Sequence, residues 1–243
     1  VTVPDLVVKV IPIRYTDPYG VVYPAPSGTY LQASLQSIFP VGTVNLTVRA
    51  TPMYFTGNLT TYNGWVSLLD KVIQQKNTDG SPYSEVYYGL IPLLDATVKT
   101  TWFPYGGGIV GLGEVGEPAY DGPRAAIGVT SALGIDGGVT AAHEIGHNLG
   151  RLHSPCGDPG DLQPGYPYPN ASIGQYGLNT NTLTVKAPSL YKDIMSYCSP
   201  EWISDFTYNG FLQSQLNFGD AEDPERAAVS RRPRARTRCP RCR

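Results

Sequence analysis

Residues 140–156 read TAAHEIGHNLGRLHSPC, and this stretch contains every histidine of the 243-residue chain: His143, His147 and His153. His143 and His147 are four residues apart. On an α-helix that spacing puts both imidazoles on one face, one turn apart, where they can grip a single ion. Glu144 sits beside them, placed to act on a water at such an ion without being a ligand. Gly150 follows His147 by three residues and can take the left-handed conformation that stops a helix and turns the chain. The turn lets His153 swing back as a third ligand. Three neutral imidazoles leave the fourth position of a tetrahedral zinc open, as catalytic rather than structural sites do. The helix is expected over about 137–149, with Asp136 as its N-cap.

The rest of the chain limits what this site can serve. Hydrophobic residues make up 41% and charged residues only 16%, so a core can form while exposed helices are few. Glycine, proline and tyrosine are plentiful, a turn-rich composition closer to extracellular than cytosolic proteins. The length suits one sizeable domain, or two lobes sharing a cleft. No run of 18 apolar residues is present, so no membrane span is expected. The opening VTVPDLVV has neither Met nor a basic, apolar leader, and reads as a mature or excised form from which any signal peptide would be missing. Residues 1–219 carry 10 basic and 16 acidic side chains, net −6; residues 220–243 carry 8 arginines and 4 acids, net +4. The body therefore has no nucleic-acid footprint, and only the tail is basic. With almost no large apolar residues, that tail is expected to be disordered.

Strands are expected at 5–15, 44–55, 84–94 and 124–129, and amphipathic helices at 29–39 and 62–77. The glycine-laden GGGIVGLGEVG (106–116) reads as a sheet-edge strand that another backbone can approach closely. Residues 154–192 look loop-like, with a hairpin turning at Asn179–Asn181, and a last helix is expected over 206–218. No internal repeat is evident.

Taken together, H-E-x-x-H-x-x-G-x-x-H resembles the metzincin zinc metalloproteases. Five specified positions make a chance match in this chain on the order of one in 10⁴. The resemblance spans most of residues 1–218, but specific motifs lie only at 140–153 and 193–198. It implies an α/β (α+β) zincin-like fold over residues 1–219. A twisted mixed sheet with helices would form an upper lobe to about residue 150, and an irregular lower lobe over 151–219 would end in a helix. It implies one catalytic Zn2+ on His143, His147 and His153, with Glu144 as general base. Met195, in DIMSYC (193–198), would be the methionine turn flooring the imidazoles without binding the ion. The order Met-x-Tyr resembles the astacin and serralysin branches, which makes Tyr197 either a fifth ligand and oxyanion stabiliser or simply part of the pocket wall. The substrate would pair with an edge strand, here Ile109, Val110, Gly111, Leu112 and Gly113. Both motif segments would converge beneath the ion, so Cys156 and Cys198 are expected to form a disulfide. The body would then be a secreted, monomeric endopeptidase acting on protein or peptide substrates. Alternatives are a zinc-stabilised adhesion module without activity, which would have no use for Glu144, and a zinc amidohydrolase on non-peptide amides. Asp158 and Asp161, in CGDPGD, could contribute to a Ca2+ site but lack the dense oxygen spacing of a calcium loop, and read rather as turn residues.

Overall fold

Strand β1 (Leu6–Thr16) organises the chain because it feeds two cores at once. Side chains alternate across a strand. Leu6, Val8 and Val10 therefore enter one core, while Ile11, Ile13 and Tyr15 enter the other. In this computed structural model the structure describes residues 2–92, 109–116, 123–131 and 134–219. The expected disordered tail and the first residues of the glycine-rich segment (106–108) lie outside the described residues.

The first core packs helices α1 (Leu31–Ile38) and α3 (Gly137–Asn148) against the sheet, together with Met195 and Phe211. The second packs α2 (Tyr62–Thr78) on the opposite face. Leu31, Leu35 and Ile38 form the buried stripe of α1, and Trp65, Leu68, Leu69, Val72 and Ile73 that of α2. Thr61 caps α2 by accepting from the Gly64 amide at 3.2 Å. Strands β5 (Val86–Ile91) and β7 (Ala125–Val129) are buried at every position, as strands covered on both faces must be.

The remaining strands of the sheet are β2 (Val22–Tyr23), β3 (Val44–Val48), β4 (Met53–Thr56) and β6 (Gly111–Gly113). The order is β2–β1–β5–β7–β6, with β3 and β4 also paired to β1. β1, β3, β4, β5 and β7 run parallel; β2 and β6 are antiparallel to their neighbours. The molecule is thus a mixed α/β structure with four α-helices among the described residues.

The strand expected over 44–55 is corrected to two. Val10 pairs with Val48 and Ile13 with Met53, so the partner advances five residues while β1 advances three. The surplus loops out ahead of Met53, at Pro52, which has no N–H to give a ladder. Of the expected edge strand, among its described residues 109–116, Gly111–Gly113 is paired as strand, with Val110 attached through its carbonyl to the Val129 amide at 3.0 Å. The hairpin forms as β8 (Gly177–Asn179) and β9 (Thr184–Lys186), so its turn is 180–183 rather than 179–181. After it come β10 (Lys192–Asp193), β11 (Glu201–Trp202) and α4 (Asp205–Gly219).

Candidate metal centre

Asp136 starts α3, its carboxylate accepting from the amides of Gly138 and Val139. The helix ends in a Schellman motif: Gly150, at φ +78°, donates to the His147 carbonyl at 2.9 Å, and Arg151 donates to the Gly146 carbonyl at 3.1 Å. The reversal carries the chain back to His153, which is strapped into the next loop by its amide on the Asp161 carbonyl and by Gln163 on its own carbonyl.

His143, His147 and His153 converge, their ligating nitrogens within 4.8 Å of one another. Each ring is oriented by a main-chain carbonyl. His143 Nδ1–H donates to Ile194 O at 2.8 Å, His147 Nδ1–H to Arg151 O at 2.7 Å and His153 Nδ1–H to Gly160 O at 2.7 Å. A carbonyl can only accept, so Nδ1 carries the proton in all three rings and Nε2 is left with its lone pair. His147 Nε2 is buried with no hydrogen-bond partner. An orphaned buried lone pair between two other imidazoles is what a metal ligand needs, and the three residues fit a bound ion. Burial holds all three imidazoles below the ordinary 6.5; His143 falls to about 3, with the neighbouring His153 adding to the effect. The rings therefore stay neutral at physiological pH, the form that ligates.

Glu144 lies beside the trio, buried, under the backbone of β6. Tyr197 sits at the rim, with its hydroxyl 3.2 Å from His153 Nε2; since that nitrogen is unprotonated, the phenol is the donor. Met195 is fully buried, and its Sδ packs so close to Gly146 that a methyl there would stand 2.6 Å from it. The Sγ atoms of Cys156 and Cys198 stand at disulfide distance, 2.02 Å. The two segments they join run side by side: Ser154 donates to the Met195 carbonyl and Tyr197 to the Cys156 carbonyl, each at 3.0 Å. Ile109, Val110, Gly111, Leu112 and Gly113 lie on and beside β6, the terminal strand of the sheet order among the described residues. Asp158 and Asp161 both occupy exposed turn positions with positive φ, at 55° and 48°.

The sequence did not single out Asp193. This fully buried carboxylate accepts from Ser154 Oγ at 2.7 Å, the Met195 amide at 2.9 Å and the Ser204 amide at 3.0 Å. It ties the residue after His153 to the methionine segment and to the start of α4. Arg151, whose carbonyl orients His147, lies within electrostatic range of it. Asn148 was also missed; its side-chain amide donates to Glu114 O at 2.7 Å and Ala125 O at 2.9 Å, pinning α3 to the sheet edge. An acid next to an apolar pair in DIMS, and an amide directly after a ligand in HN, were the only hints available.

No family model matches this chain, and a search of curated proteins finds no match. Among the described residues, no helix is long and apolar enough to cross a membrane.

Proposed function

We propose that this protein is a zinc-dependent endopeptidase of metzincin type. The reading rests on one observation above all: three imidazoles, each proton-bearing at Nδ1 against a carbonyl, bring their Nε2 atoms together next to a buried glutamate. His143, His147 and His153 would hold the ion, and a trio of neutral nitrogens with an open position suits zinc. When bound, zinc supplies Lewis acidity, polarising the scissile carbonyl and acidifying water.

The chain's own residues do the rest. Glu144 takes the proton of the attacking water and delivers it to the leaving amine. Tyr197 turns its hydroxyl from His153 to donate to the oxygen that becomes negative. The outer edge of β6 offers main-chain groups to an extended peptide, so much of the affinity is independent of side chains. Met195 and the carbonyls of Ile194, Arg151 and Gly160 keep the rings fixed through the cycle. A disulfide between Cys156 and Cys198 suits an oxidising, extracellular compartment.

The test is digestion of casein or gelatin by purified protein loaded with zinc, with and without a chelator, beside Glu144→Ala. The wild type should cleave, the chelator should stop it, and Glu144→Ala should keep its metal while losing turnover by ~10²-fold or more. Undiminished turnover in Glu144→Ala, or no cleavage by the metal-loaded wild type, would overturn the proposal.

A further inference from the structure

The sheet edge beside α3 is made without side chains on the helix side. Gly111 and Gly113 are two residues apart on β6, so the same face of the strand meets the helix at both. A Cβ built on Gly111 would stand 2.6 Å from Glu144 Cγ and would meet its Oε1 and Cδ as well. One on Gly113 would stand 2.6 Å from the Glu144 carbonyl oxygen, and one on Gly116 would run into the Asn148 carbonyl. Leu112 points the other way, into the core under α2. The GLGEVG rail thus lets a backbone lie directly on the helix turn that carries Glu144.

The strand cannot step aside. Its inner edge is laddered to β7, Gly111 opposite Gly128 and Gly113 opposite Ala126. The Glu114 amide continues that ladder onto Ala125 O at 3.1 Å. Asn148 grips the Glu114 and Ala125 carbonyls together, and the Gly116 amide donates to His147 O at 2.9 Å. Strand and helix are therefore stitched to each other one turn beyond Glu144, at His147 and Asn148. Of everything around an added methyl at position 111, the Glu144 side chain is what can yield.

We infer that Gly111 is a positioning residue for the general base: the missing side chain defines the slot in which the Glu144 carboxylate rests. This rests on the reading of Glu144 as base. It assigns the glycine at 111 a role separate from the main-chain pairing expected of the edge strand. An alanine at 111 expels the carboxylate from the slot but touches neither the imidazoles nor their carbonyl partners.

The experiment is a double-mutant cycle on zinc-loaded protein with wild type, Gly111→Ala, Glu144→Ala and the double variant, read by metal content, melting temperature and peptide turnover. Gly111→Ala should bind one zinc, lower kcat by ~10²-fold for a displacement of about 1 Å, and change KM far less. It should lower Tm by about 2–4 °C in the wild-type background and leave Tm unchanged or raised in the Glu144→Ala background, where the slot is empty. An equal Tm cost in both backgrounds would overturn the inference, as would loss of zinc or a kcat within about threefold of wild type. If Gly111→Ala alone fails to fold, recovery of folding in the double variant supports the inference and its absence overturns it. The Tm cycle is independent of turnover: an inactive wild type defeats the peptidase reading, while the cycle still decides the Gly111–Glu144 contact.

Discussion

Replacing Asp193 by alanine should damage both the fold and the metal site, by amounts that follow from its three hydrogen bonds. Its carboxylate accepts from Ser154 Oγ and the Met195 amide on one oxygen and from the Ser204 amide on the other, with no exposure to solvent. Truncation leaves those three donors buried without an acceptor, each costing about 1–3 kcal/mol. Arg151 also loses the opposite charge that supports its protonated form against burial. The desolvation of the carboxylate is recovered in the mutant, so the net loss is about 3–5 kcal/mol. For a body of this size that corresponds to a fall in Tm of roughly 10–15 °C. The same change frees the Ser154 hydroxyl next to His153 and slackens the segment whose Ile194 carbonyl orients His143, so zinc affinity should drop 10–100-fold. Asp193→Asn retains one acceptor but turns an N–H group toward the Ser204 amide or the Met195 side, so it should lie between wild type and alanine on both scales. Thermal unfolding of the zinc-free protein gives the first quantity, and competition with a metal indicator gives the second. An Asp193→Ala protein with Tm within about 2 °C of wild type and unchanged zinc affinity would refute the argument, because the carboxylate would then be neither satisfying those donors nor holding the loop.

The disulfide and the histidines give two further expectations. Cys156→Ser/Cys198→Ser removes a link across a separation of 42 residues, worth about 4 kcal/mol by loop closure, and urea midpoints with and without reductant should report that loss in wild type only. The imidazoles titrate below 6.5 when folded, so the unfolded chain binds protons first as pH drops. Stability of the zinc-free protein should therefore be full above about pH 6.5 and decline as pH falls toward about 3. Unfolding midpoints that stay level from pH 7.5 to 4 would contradict the burial of these rings.

How much was legible beforehand depends on the range of the interaction concerned. The spacing of His143 and His147, the Asp136 cap and the Gly150 reversal are properties of one helix and its ends, governed by contacts within a few residues, and each appears in the structure where periodicity placed it. The stripes of α1 and α2 were equally local. The run 44–55 was not, because its break arises from pairing with β1, a partner some forty residues away whose register the run itself does not contain. The hairpin turn moved for a local reason: Asn179 pairs with Thr184 while its side chain accepts from the Asn181 and Thr182 amides, so the turn spans 180–183.

At the site, the sequence alone determined which side chains are the candidates: three imidazoles and a carboxylate on one helix and its exit, plus the methionine segment and the cysteines that accompany them. Only the tertiary structure decided how they are held. The carbonyls of Ile194, Arg151 and Gly160 set the proton on each ring, Asp193 locks the floor, and Gly111 makes room for Glu144. Carbonyls are the same in every residue and a glycine's emptiness has meaning only against what presses on it, so neither can be read until the chain has folded and brought distant backbone within hydrogen-bond reach.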